Sequence, residues 1–172
     1  MPPTKTSKRP RNRVEVVWKG AFPEELAWIR WGKRWALTFL RSLHLSGCAF
    51  CLAFVSDAAM RRLNRQFRGK DTTTDVLSFP SGELPLGCVY AGRKNAASFA
   101  GYLGDVAISL PMAFRRARSL GIRPQAEAKL YLAHGLLHLL GHDHPCEADA
   151  RKMAFWEQRL LQNPGMLRRS GS

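Results

Sequence analysis

The chain is 172 residues long, with 45% apolar and 23% charged residues, a balance that suits one globular core and excludes a wholly disordered or fibrous polypeptide. Twenty-seven Lys and Arg stand against thirteen Asp and Glu, a formal charge of +14 that points to a polyanionic partner, either nucleic acid or an acidic membrane surface. The longest strongly apolar run, Ala49 to Val55, falls far short of the ~20 residues that cross a bilayer, so no membrane partner is expected.

Residues 1–13, MPPTKTSKRPRNR, carry five basic groups and no acid and are expected to form a disordered basic arm. No apolar stretch of a secretory signal follows them, and Pro2, Pro3 and Pro10 oppose the amphipathic helix of a presequence. The expected location is the cytoplasm. Residues 14–161 are expected to form one domain, and 162–172 a disordered tail. Val14 to Trp18 alternates apolar and polar residues and reads as a first strand. Pro23, Glu24 and Glu25 open a helix to about Leu43, whose Trp28, Ile29, Trp35, Leu37, Phe39 and Leu40 form a core stripe.

Cys48 to Val55 reads as a buried strand. The CxxC formed by Cys48 and Cys51 therefore points its thiols to opposite faces and cannot gather a metal. With Cys88 and Cys146 the chain has only four cysteines, too few for a disulfide scaffold of this length, so reduced thiols are expected. Ser56 and Asp57 cap a helix to about Phe67, and VLSFP, ending at Pro80, is a short strand. The stretch from Ser81 to Gly101 reads as a loop or irregular hairpin, and Val106 to Leu110 as another strand. Helices follow over Pro111 to Leu120, from Pro124 to near Leu140, and over about Glu147 to Leu161. The expected fold class is α+β: a small mixed sheet of about four strands packed with helices, one of them a central buried helix carrying histidines.

Chemistry concentrates between residues 133 and 144, AHGLLHLLGHDH, which hold four of the five histidines. His134 and His138 lie one turn apart on one face of an otherwise apolar helix, about 6 Å along its axis, and can hold one metal ion. Gly141 supplies the stop at which the chain turns back. Either His142 or His144 is then a possible third ligand. His144 is preferred, because two residues past the turn its side chain reaches back, whereas His142, beside the stop, is expected to point outward. Three neutral imidazoles around one Zn2+ leave a fourth position for water and bring its pKa down to about 7. A zinc peptidase of the HExxH kind would carry glutamate where this chain has Gly135, and a two-metal nuclease would need more carboxylates than Asp143. Basic clusters at 30–41, 61–70 and 115–123 are candidate walls for an RNA backbone.

HGLLHLLGHDH resembles the HGxLHLxGYDH signature of the YbeY-type ribosomal RNA maturation endoribonucleases. Residues 63–80, LNRQFRGKDTTTDVLSFP, are similar to the LNxxFRxKDxPTDVLSFP segment of that family, and LGDVAIS at 103–109 to its LGDIxIS strand. His142 stands where the family has tyrosine, and Thr73 where it has proline. The resemblance implies a single-strand-specific, zinc-dependent endoribonuclease acting in maturation of the 3′ end of 16S ribosomal RNA and in ribosome quality control. It implies His134, His138 and His144 as ligands of one Zn2+, Arg68 as the functional arginine, and ribosomal RNA and small-subunit proteins as partners, with no small-molecule cofactor. A guanidinium suits that role because its planar fork holds two phosphate oxygens. Asp143 and Asp105, the acids nearest the matched motifs, are candidates to orient a ligand or accept a proton, and the general base is left unassigned. Two other readings stand beside this one: a ribosome-assembly RNA binder with structural zinc, and a zinc-dependent amidohydrolase or peptidase.

Overall fold

The computed structural model describes residues 10–20, 23–82, 101–142 and 147–162. Asp143, His144, Cys88 and Cys146, with most of the expected arm, central loop and tail, lie outside the described residues. In chain order the elements are β1 (Arg13–Lys19), α1 (Glu25–Ser42), β2 (Cys48–Val55), α2 (Asp57–Arg68), β3 (Val76–Pro80), β4 (Gly101–Ser109), α3 (Leu110–Leu120), α4 (Pro124–Leu139) and α5 (Glu147–Gln162). Two expected boundaries move. Within the stretch expected to be an arm, the Asn12 side chain donates to the Leu45 carbonyl at 2.8 Å and accepts from the Cys48 amide at 3.0 Å, and Arg13 already belongs to β1. At the other end α5 runs one residue into the expected tail.

The sheet has the order β1-β2-β4-β3. The first two pairings are parallel and β3 joins β4 antiparallel, the mixed α+β arrangement expected from the sequence. β4 starts five residues before the expected Val106. Gly104, at φ +124, makes a bulge that breaks the two-residue alternation, and a Cβ there would lie 2.1 Å from the Phe79 carbonyl oxygen, so only glycine fits. β2 is buried on alternate residues, with Cys48 on the core side and Cys51 on the other, and the Cys48 thiol donates to the Ser46 carbonyl at 3.8 Å. Burial pushes each thiol up to about 11.

One face of the sheet carries α1, α4 and α5. Trp28, Phe39 and Leu40 of α1, Phe50, Leu52 and Phe54 of β2, and Leu132, Leu136 and Leu137 of α4 share this core with Met153 and Leu160 of α5. Lys129 pins the three helices together, its ammonium donating to the Leu161 carbonyl at 3.0 Å and lying 3.8 Å above the Trp35 ring centroid. The other face carries α2, whose Met60 and Leu63 pack on Val55, Leu77 and Ala107. Ser56 caps α2 by accepting from the Ala59 amide at 3.2 Å. Asp57 then ties three elements together, accepting from Ser109 Oγ at 2.8 Å and from Arg115 Nη1 of α3 at 2.6 Å.

α4 presses onto the sheet through Gly135. A Cβ at that position would lie 2.6 Å from Val106 Cγ1, 3.1 Å from Val76 Cγ2 and 3.2 Å from Ser78 Oγ, and Ser78 Oγ donates to the Gly135 carbonyl at 3.1 Å.

Two outcomes follow from this packing. Gly135→Ala should lower the unfolding free energy by about 1–2 kcal/mol, overpacking being partly offset by better helix propensity; urea denaturation showing a variant as stable as the wild type would contradict it. The Arg115 guanidinium, more than the Ser109 hydroxyl, holds the Asp57 carboxyl below the ordinary value of 3.8. Its stabilisation is therefore complete above that value and is lost as pH falls through the lower folded one. Asp57→Asn should cost about 1 kcal/mol at neutral pH, with the gap to wild type closing in strong acid; a gap that does not change with pH would refute the linkage.

Candidate metal centre

With Gly135 turned to the sheet, a rotation of about 100° per residue puts His134 and His138 on one flank of α4, about 100° and 60° to the same side. Their rings meet edge to face with centroids 4.6 Å apart, and the two Nε2 atoms are separated by 3.0 Å. Nitrogens sharing one tetrahedral zinc at about 2.0–2.1 Å lie about 3.3 Å apart, so the pair fits a single ion with a shift of a few tenths of an ångström. Both donors are soft enough for zinc and uncharged in their neutral form.

A carboxylate that the sequence reading did not single out sets the chemistry of this pair. Glu157 Oε1 of α5 lies 2.6 Å from His134 Nδ1. A carboxylate only accepts, so Nδ1 carries the proton and the lone pair of the neutral ring is on Nε2, the atom facing His138. The bond is shielded, with 31% of the His134 side chain and 19% of that of Glu157 exposed. A signal for Glu157 existed: it stands four residues after buried Met153 and three before buried Leu160, a charged residue on the apolar stripe of its helix.

The remaining expected residues are placed as follows. His144, the expected third ligand, and Asp143 lie outside the described residues, and among the described residues no group of three or more His, Cys, Asp or Glu is gathered to hold an ion. His142 does not point outward as expected. The turn at Gly141, φ +81, draws the chain back so that the His142 amide donates to the Leu137 carbonyl at 3.0 Å and the side chain is half-buried. Burial, then the Lys152 charge, holds its imidazole below the ordinary 6.5. Asp105 alternates with Val106, which touches α4, and so faces the opposite side of the sheet, where it accepts from the Tyr102 hydroxyl at 2.7 Å. The structure does not bring it to the histidines.

Arg68 is exposed at the end of α2, on the sheet face opposite α4. Phe67 beside it packs on Phe79. On the other face Tyr131 feels the Asp75 carboxylate before β3, and Gly135 sits over Ser78. Among the described residues Arg68 makes no hydrogen bond or ion pair. Further along α2 a recess of about 780 Å³ is lined by Arg61, Arg62, Arg65 and Asp71, with Arg61 held by Asp71 at 2.9 and 2.6 Å.

The model of the family described as endoribonuclease YbeY matches residues 22–165. The chain is 50% identical over 133 residues to the endoribonuclease YbeY of Myxococcus xanthus, an alignment covering 77% of this chain and 42% of that relative. It is 46% identical over 132 residues to that of Anaeromyxobacter dehalogenans, covering 77% and 62%, and 37% identical over 150 residues to that of Gloeobacter violaceus, covering 87% and 74%. It thus spans less than two thirds of the length of each of the first two relatives. A solution structure of a Thermotoga maritima protein shares the fold with a TM-score of 0.57 and 21% identity, over 87% of this chain and 88% of that one.

The Glu157–His134 bond is expected to tune metal binding. Glu157→Gln should weaken zinc affinity about 10–100-fold in calorimetric titration while circular dichroism stays that of the wild type; unchanged affinity would mean that the carboxylate only packs.

Proposed function

This chain belongs to the endoribonuclease YbeY family, and on that premise we propose that it is a zinc-dependent endoribonuclease that cuts single-stranded RNA. The observation that carries the reading is the pair of Nε2 atoms 3.0 Å apart with the outer nitrogen of His134 tied to Glu157. His134 and His138 would hold the ion through these atoms, with His144 as the third ligand. Zinc, when bound, supplies a Lewis acid that makes water acidic enough to attack at neutral pH and that neutralises charge on a phosphate.

The chain's own groups do the rest. Glu157 keeps His134 in one tautomer and one orientation, so that its donor atom is aimed before any ligand arrives. Arg68 holds phosphate oxygens of the strand in its planar fork and offsets the charge that builds at phosphorus. The net charge of +14 draws a polyanion to the surface and makes its binding depend on salt. Gly135 argues against the peptidase reading, because the position where HExxH carries its glutamate is wedged here against Val106 and Ser78. The substrate proposed from the family resemblance is ribosomal RNA, in 16S 3′-end maturation and ribosome quality control in the cytoplasm, with small-subunit proteins as partners.

The test compares wild type, His138→Ala and Arg68→Ala on single-stranded ribosomal RNA fragments, with zinc content, RNA binding and cleavage measured together. His138→Ala should lose zinc and cleavage. Arg68→Ala should keep zinc and fold but cut about 10²–10³-fold more slowly. Zinc-loaded wild type that binds these RNAs and never cuts them would leave an RNA binder with structural zinc instead.

A further inference from the structure

Beside Arg68 the chain displays an aromatic ring that the core does not use. Phe67 is 54% exposed, yet it is held in place: its ring packs edge to face on Phe79 of β3, with centroids 4.9 Å apart at 64°. A ring braced on one side and more than half open keeps a face to offer. Its surroundings are cationic. α2 carries Arg61, Arg62, Arg65 and Arg68 against Asp57, and Lys70 follows one residue after Gly69 ends the helix. Asp71 engages Arg61 closely and Arg65 only at 3.9 Å, whereas Arg62 and Arg68 have no ion pair among the described residues.

An open aromatic face among unpaired cations matches what a single strand presents, which is phosphates for the guanidinium groups and an unstacked base for the ring. In a duplex both faces of each base are covered by its neighbours, so the ring would find nothing to stack on. Phe67 rests on Phe79 of β3, the edge strand whose other face holds the histidine helix through Ser78 and Gly135, so both lie against one short strand. We propose that Phe67 stacks on a nucleobase next to the phosphate that Arg68 holds, and that it is thereby a specificity-determining residue for single-stranded RNA. The inference rests on the endoribonuclease reading above and adds the residue that reads the base.

The experiment uses the zinc-loaded full chain and a short single-stranded RNA in which each nucleotide in turn is made abasic, with binding by fluorescence anisotropy and cleavage by gel. Wild type should lose about 5–100-fold in affinity at one abasic position. In Phe67→Ala that position should become silent while penalties elsewhere remain, and discrimination between single strand and duplex should narrow. Phe67→Trp should restore both. Phe67→Leu, which keeps an apolar side chain on Phe79, should behave like the alanine variant and so separates stacking from folding. An unchanged abasic profile in Phe67→Ala, with wild type still binding and cutting, would overturn the stacking proposal alone. Wild type that neither binds nor cuts any of these RNAs would overturn the endoribonuclease reading and the stacking proposal with it.

Discussion

A half-buried hydrogen bond between the Glu157 carboxylate and His134 Nδ1 is the contact on which the proposed metal chemistry depends. It crosses from α5 to α4, and it forces the lone pair of a neutral ring onto the nitrogen that faces His138. Without it the imidazole has two tautomers and free rotation, and a metal would have to select one arrangement at the moment of binding. The bond in turn depends on how α4 is seated. Gly135 lets the helix back approach Val106 and Ser78, which fixes the rotation of α4 and so turns His134 and His138 to the flank that α5 covers.

Much of this architecture is legible in the order of residues. β2 spans the expected Cys48 to Val55, and α2 starts at the expected Ser56 cap, because burial on alternate residues and an N-cap are local signals. The i, i+4 spacing of His134 and His138 likewise places the two rings together with no knowledge of tertiary structure. What escaped was either irregular backbone or non-local contact. The first half of β4 was hidden because the Gly104 bulge destroys the alternation by which strands are recognised. Glu157 lies 23 residues from His134, and a glutamate in a charged amphipathic helix reads as solvated unless the buried Met153 and Leu160 on either side are noticed. His142 is expected outside because it stands beside the stop at Gly141, whereas its backbone closes onto Leu137. Asp105 looked near the site in motif order, but strand alternation sends it to the other face. Arg68 was singled out by its motif alone, since its neighbours on α2 have the same chemistry.

The edge strand β3 organises the functional surface. Its Ser78 meets the histidine helix on one face, and its neighbour Phe79 supports Phe67, beside Arg68, on the other. Successive residues of one short strand thus carry the two halves of the proposed machinery, the histidine helix on one face of the sheet and the arginine-rich helix on the other. The excess of positive charge would add long-range attraction for the proposed RNA substrate.

The proposed chemistry requires that the two imidazoles bind one ion through Nε2. ¹⁵N-resolved NMR of the histidine side chains, recorded as one equivalent of zinc is added, tests it most directly. The expected result is that Nε2 of both His134 and His138 takes on the shift of a metal-bound nitrogen at one zinc per chain, with His134 Nδ1 remaining protonated. Spectra in which either ring stays free at full zinc, or in which zinc binds through Nδ1 of His134, would contradict it.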